Sequence, residues 1–312
     1  MYFFMAVRFT KVKKQEIKQQ EMSVKQAFEK FMIHNEAKNL TKSSIKYYRE
    51  NYGYFIESID EAIPISQICI EDVEAFSLYL RKYKNRKDTS VNTAIRAIRS
   101  FLYFCMERGY MKPFKVPITK ANETIKEPYT QEELQKLLRK PRGDEWSQWR
   151  TWALINYLVA TGHRASTVIN LKVKDIDLHN NRIKLTHTKN RKNCFVPMAW
   201  ALKSALEEYL GLWDYEQEDY MFPNRKGQQM SVSSLQNIIR RYNESRGVQK
   251  TGIHLFRHTF AREYVLRGGD MARLQMLLGH STLDMTKKYI MLYGHDLETD
   301  FDKFNLLNKL MK

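Results

Sequence analysis

Residues 254–258 read His254-Leu255-Phe256-Arg257-His258. On a helical turn, residues three apart share a face, so this stretch sets an imidazole beside a guanidinium. Further cationic groups stand in order along the chain on either side of it. Ala160-Thr161-Gly162-His163-Arg164-Ala165-Ser166 puts an Arg just after a Gly at a helix end, and Lys189 lies at a hairpin tip. Leu278-Gly279-His280 comes 23 residues after Arg257, and Tyr289 comes nine residues after His280. Two guanidiniums, an ammonium and up to three imidazoles, with a tyrosine behind them, form a set suited to a phosphodiester. An Arg fork grips two non-bridging oxygens at once, which a Lys point charge cannot do. Taken singly each element is ordinary: a tyrosine near a helix end is mostly structural, and an H-x-x-R pair is mostly a surface pair or a cap. The ordered combination carries the specificity.

The segments between these residues read as helices around one short β-element. From Ser23, a candidate N-cap, Val24, Ala27, Phe28 and Phe31 fall at i, i+3, i+4 and i+7, the stripe of an amphipathic helix. Ile45, Tyr48, Tyr52, Phe55, Ile56 and Ile59 mark a second; Ile70, Val73, Phe76 and Leu80 a third; Val91, Ile95, Ile98, Leu102 and Cys105 a fourth, ending near Gly109. These predict a helical domain over 21–112. Residues 1–20, with Arg8, Lys11, Lys13, Lys14 and Lys18 against Glu16, read as a basic arm. Residues 113–128, holding Pro113, Pro117 and Pro128, read as a linker. In the second domain, 129–312, Thr130 with Glu132 and Glu133 opens a helix and 149–159 reads as a buried one. Stretches 182–188 and 194–198 pair as a hairpin across Asn190, Arg191, Lys192 and Asn193. Helices follow over 231–244, 258–267, 271–277 and 283–290, and Leu297, Phe301, Phe304 and Leu307 share a last helical face. The acids from Glu207 to Asp219 have no Lys or Arg among them, which predicts a surface turned away from any anion. The fold class is mainly α with a small β-hairpin.

The 312 residues contain 52 Lys and Arg against 35 Asp and Glu, a net charge of +17. The length suits two domains, each able to bury its own core. With 43% hydrophobic and 28% charged residues and few Gly or Pro, disordered and collagen-like classes are excluded. Residues 1–127 hold 23 Lys and Arg against 15 acids, and 128–312 hold 29 against 20, so the charge is no appended tail. Two basic domains fit one long anion. Arg81, Lys82, Lys84, Arg86 and Lys87 read as a basic loop after the third helix, and Arg96 and Arg99 lie off the apolar stripe of the fourth. These are the candidates for phosphate contact; an ordinary solvated face is the alternative. No apolar run approaches the roughly 18 to 20 residues of a membrane span, and the apolar opening precedes its positive charges, the reverse of a secretory signal. A cytoplasmic protein is expected. Cys69, Cys105 and Cys194 stand far apart, so neither a disulfide framework nor a zinc site is indicated. No P-loop, strand-linked G-x-G-x-x-G, H-E-x-x-H or G-x-S-x-G occurs, and no cofactor or metal is expected.

From about Ser23 to the end, the chain resembles the tyrosine recombinase and phage integrase family. Ala160 to Arg164 is similar to its A-T-G-x-R box, and Leu171 to Leu178 to the stretch that follows it. Lys189 with Val196-Pro197 resembles its lysine hairpin. His254 to His258 resembles its H-x-x-R-H box, and Leu278 to His280 with Tyr289 its L-G-H and nucleophile pair. The resemblance implies a SAM-like helical core-binding domain followed by a catalytic domain. It also implies roles: Tyr289 as nucleophile, His254 as general base, Arg164 and Arg257 on the phosphate charge, Lys189 as acid to the leaving oxygen and His280 as a phosphate hydrogen bond, with His258 packing beside the box. The implied partners are double-stranded DNA with an inverted-repeat core site, further copies of the chain (a dimer on each site, a tetramer in the synapse) and accessory factors. The last helical stripe would dock on a neighbouring copy. Three positions depart from the family pattern. Thr167 stands where a Glu is usual, leaving Arg164 to orient on another acid or on backbone carbonyls; His163 replaces a Leu, read as a surface or supporting change; Thr188 replaces a Gly. These departures favour a mobile-element integrase over a housekeeping recombinase. The alternatives are a catalytically silent DNA-binding protein of the same fold and a type IB-like topoisomerase acting on one duplex.

Overall fold

The computed structural model describes residues 21–119, 127–185, 194–279 and 282. Lys189, His280, Tyr289, the basic arm 1–20 and the final stripe of Leu297, Phe301, Phe304 and Leu307 lie outside the described residues. The chain divides into two compact units between Thr124 and Ile125.

The N-terminal unit is built from α1 (Val24–Ala37), α2 (Lys42–Ile56), α3 (Ile70–Lys82) and α4 (Asp88–Glu107). Ser23 caps α1 through a reciprocal pair with Gln26, which satisfies two of the amides a helix start leaves open. On α4, Val91, Ile95, Ile98, Leu102 and Cys105 are all buried, so one stripe of the longest helix forms the spine of the core. An aromatic cluster completes it. Phe28 stacks on Tyr52 with centroids 3.7 Å apart and meets Phe101 edge-on at 5.4 Å. The second helix stops at Ile56, three residues before the apolar pattern does. Arg81 and Lys82 are the last residues of α3, not part of a loop, where their charges oppose the negative end of the helix dipole.

The C-terminal unit surrounds α6 (Trp146–Thr161). Arg150, Thr151, Trp152, Ala153, Leu154 and Ile155 are buried in unbroken succession, so this helix has no polar stripe and runs through the core. Against it pack α5 (Gln131–Leu138), α8 (Trp200–Leu210), α9 (Val232–Ser245) and α10 (Ile253–Leu266). Thr130 and Glu133 form the capping box that opens α5. Between α7 (Ala165–Asn170) and α8 lies an antiparallel sheet of β1 (Ile176–Asp177), β2 (Arg182–Leu185) and β3 (Cys194–Pro197), in that order. Ile183 pairs with Ile176 on one side and Val196 on the other. The expected hairpin therefore gains a third strand, whose two residues are too few to alternate visibly. The unit's described part closes with α11 (Met271–Leu278). Among the described residues no helix is long and apolar enough to cross a membrane.

The box at 254–258 lies inside the first turns of α10, which starts five residues earlier than the pattern suggests; its N-cap, Gly252, makes no side-chain bond that would mark the start. Acids of the stretch 207–219 also meet cations of other segments. Glu208 meets Lys140 at 2.8 Å, and Glu218 meets Lys172 at 2.8 Å and Lys174 at 2.6 Å, all brought from other segments.

Phe101 is fully buried within the aromatic cluster. Phe101→Ala should lower the stability of the protein by about 3–5 kcal/mol in urea titrations, the cost of a large cavity in a packed core.

Candidate active site

The site starts from the way α6 ends. Gly162 takes φ 60°, the left-handed conformation that closes a helix, and no other residue fits: a Cβ there would stand 2.8 Å from Cδ1 of Phe260 on α10. The turn leaves the Gly162 carbonyl 3.0 Å from Nη1 of Arg257, which donates to it. Two residues on, Arg164 takes extended backbone as the N-cap of α7.

α11 ends the same way, on Gly279 at φ 60°. Its last carbonyls collect both guanidiniums. Arg257 donates from Nη2 to Leu278 O at 2.7 Å, and Arg164 donates from Nη1 to Leu278 O at 3.4 Å and Gly279 O at 3.2 Å. Two cations more than 90 residues apart in sequence thus converge on the negative end of one helix, where open carbonyls seek donors. Arg257 is 1% exposed, while Arg164 is half-buried. Arg164 has backbone carbonyls where the family pattern has a carboxylate. Among the described residues Thr167 meets Arg164 through its backbone N–H, which donates to the Arg164 carbonyl at 2.9 Å in the first turn of α7.

His163 does not lie on the surface. It is 4% exposed, with Nδ1 2.7 Å from the Tyr157 hydroxyl. Burial, then the charges of Arg257 and Arg164, push its pKa from 6.5 down to about 3, so the imidazole is neutral beside the two guanidiniums. Burial also raises the Tyr157 phenol.

His254 is exposed on the first turn of α10 and lines a cavity of about 690 Å³ with His258, Lys250 and, from α9, Gln236, Asn237 and Arg240. These three α9 residues belong to no motif; the exposed face of an amphipathic helix was the signal for them. Of the predicted catalytic set the structure describes Arg164, His254 and Arg257. Arg164 and Arg257 share the α11 carbonyls, and His254 stands one turn before Arg257 on the same helix.

The phosphate-contact candidates all belong to the N-terminal unit, and several are already engaged there. Arg81 holds Asp88 at 2.9 Å and Ser77 at 2.8 Å, and Lys84 holds Glu57 at 2.8 Å. Arg86 lies 4.0 Å over the Tyr54 ring and Arg99 4.9 Å over Tyr103. Lys82, Lys87 and Arg96 are exposed.

The model of the phage integrase family matches residues 128–295. The chain is 29% identical over 238 residues to the tyrosine recombinase XerC of Thermodesulfovibrio yellowstonii, covering 72% of this chain and 79% of that protein. Among solved structures, the XerA recombinase is 25% identical at a TM-score of 0.51, over 89% of this chain and 98% of that one. The Tn1549 transposon integrase in complex with transposon right end DNA superimposes at a TM-score of 0.76 and 19% identity, over 90% of this chain and 99% of that one.

Gly162→Ala should cost about 1–3 kcal/mol in thermal unfolding, from left-handed strain and the clash with Phe260, and should displace the carbonyl that holds Arg257. A second measurement concerns pH. The His163 pKa is lower folded than unfolded, so the unfolded chain takes up a proton that the folded one refuses, and stability falls as pH drops from about 6.5 toward about 3. Unfolding midpoints of His163→Leu should lose that part of the slope; an unchanged slope would show that other groups carry it.

Proposed function

The chain belongs to the phage integrase family, and on that premise we propose that it is a site-specific DNA recombinase that cuts and rejoins strands through a 3′-phosphotyrosine link, serving a mobile element. The observation that carries this reading is the convergence of Arg164 and Arg257 on the α11 carbonyls, immediately before His280 in the chain. Arg164 uses Nη1 alone for those carbonyls, so other N–H groups of its fork remain for phosphate oxygens.

In the proposed reaction the Tyr289 oxygen bonds to phosphorus as the bond to the 5′-oxygen breaks. A phenol of pKa about 10 must give up its proton, and His254 takes it. Lys189 protonates the leaving 5′-oxygen, Arg164 and Arg257 stabilise the charge that develops on the non-bridging oxygens, and His280 adds a hydrogen bond. The covalent link conserves the bond energy, so a 5′-hydroxyl from another strand reverses the step without ATP. Arg81, Lys82, Lys84, Arg86, Lys87, Arg96 and Arg99 are proposed to touch DNA in the N-terminal unit. The salt bridges of Arg81 and Lys84 would have to open or share, which exposed pairs do at small cost. The proposed target is an inverted-repeat core site bound by a dimer, with two sites joined in a tetramer and accessory proteins assisting. The residues His163, Thr167 and Thr188, together with the fold shared with a transposon integrase, support the mobile-element role.

On a nicked suicide duplex carrying the repeats that flank the gene, the wild-type chain should form a covalent adduct. Tyr289→Phe should abolish the adduct and keep binding. Arg257→Lys should slow cleavage by about 10²–10³-fold, the usual cost of one donor to transition-state charge. An adduct that persists in Tyr289→Phe would overturn the nucleophile, and relaxation of any supercoiled plasmid without paired sites would mark a topoisomerase.

A further inference from the structure

At the far end of α6 from Gly162 the C-terminal unit opens into a cleft of about 960 Å³. Arg139, Arg142, Arg150, Arg225, Arg241 and Arg246 line it, and Glu145 is the one acid among its lining residues. That carboxylate already accepts from Ser147 and Gln148. Arg139, Arg142, Arg225 and Arg241 are exposed, and among the described residues none forms a salt bridge. Lys140 lines the cleft too but is held by Glu208.

Arg150 is the unusual member. It is 4% exposed, its Nη1 donates to the Pro223 carbonyl at 2.7 Å, its guanidinium lies 4.7 Å over the Trp146 ring, and its buried Nε has no hydrogen-bond partner. Burial depresses its pKa, and the nearby charge of Arg225 adds to the effect. A buried charge without a counter-charge destabilises a fold, as does a ring of like charges around it. An anion seated in the cleft offsets both. The space is much larger than one phosphate needs. Only Ile238 and Tyr242 offer apolar surface among the residues contributed by α9, so a peptide would find few side-chain pockets. Guanidinium forks instead match successive phosphates of a nucleic-acid backbone.

The cleft stands apart from the arginine pair. On α9, Gln236, Asn237 and Arg240 line the His254 cavity, whereas Ile238, Arg241, Tyr242 and Ser245 line the basic cleft. At 3.6 residues per turn these sets lie on different faces of the helix, centred about 140° apart and adjoining at Asn237 and Arg241. The 16 residues of α6 place about 24 Å between its two ends.

We propose that this cleft is a second nucleic-acid site, which grips the phosphate backbone of a duplex segment other than the one presented to Arg164 and Arg257. The proposal rests on the reading of the chain as a DNA recombinase. The segment comes either from DNA beyond the exchanged site on the same molecule or from a second molecule.

The test uses the full chain and the triple variant Arg139→Gln, Arg142→Gln, Arg241→Gln, whose positions are exposed and outside the proposed catalytic set. With excess duplex of about 15 base pairs at low salt, native mass spectrometry should find two duplexes per wild-type chain and one per variant chain. On duplexes of about 60 base pairs, the slope of log affinity against log salt should fall by about 2–3 in the variant, near 0.9 for each lost phosphate contact. One long duplex per wild-type chain identifies a segment of the same molecule, and two identify a second molecule. Adduct formation at Tyr289 on a nicked short duplex should be equal in both proteins, which separates failure of this site from failure of the recombinase reading. A wild-type chain that saturates at one short duplex, or a variant that still binds two, overturns the proposal. Tighter binding of a poly-glutamate peptide than of DNA at the second position overturns it in favour of an acidic protein partner.

Discussion

Two guanidiniums share the last carbonyls of α11, and the geometry of the C-terminal unit follows from that arrangement. A helix end leaves carbonyls without partners, and an arginine drawn into a core needs acceptors to replace water; each supplies what the other lacks. Arg257 is nearly inaccessible and bonds to Leu278 O and to Gly162 O, so it ties the ends of α6 and α11 to the second turn of α10. Arg164 joins from the start of α7. Both helix ends use glycine in the left-handed conformation, which turns the carbonyls into reach. Phe260 pressing on Gly162 makes the first of these turns intolerant of any side chain.

Bonds to carbonyls also bear on the missing carboxylate. An ion pair would fix Arg164 with strong attraction and reduce the positive potential it presents. Carbonyl dipoles fix it while leaving its full charge for an incoming anion. With Thr167 at the position where the family pattern has Glu, the chain keeps the orientation and a larger share of the field.

Most of the fold was legible because its main pattern is periodic. The stripes at Val24 to Phe31 and Val91 to Cys105 match buried faces, since an apolar face needs only its own spacing to be seen. α8 carries such a stripe too, in Leu202, Ala205, Leu206 and Tyr209, with Glu207 and Glu208 set into it. What escaped depended on partners distant in sequence. The lysines that neutralise Glu218 lie 44 and 46 residues away, and the Lys140 that meets Glu208 lies 68 away. The order of cationic residues pointed to Arg164, His254 and Arg257, but not to what holds the arginines, because their acceptors are backbone atoms common to every residue. For a related reason the sequence left His163 open between a surface and a supporting place, and its buried partner Tyr157 decides for the second.

The neutral imidazole of His163 has a kinetic meaning as well as a structural one. Arginines keep their charge throughout the range in which proteins are folded, and the ring of His163 beside them titrates far below it. His163 therefore stays neutral between pH 5 and pH 9, and the two guanidiniums beside it keep their charge over the same interval. In the proposed strand exchange, a rate that changes across that interval would report groups other than this ring.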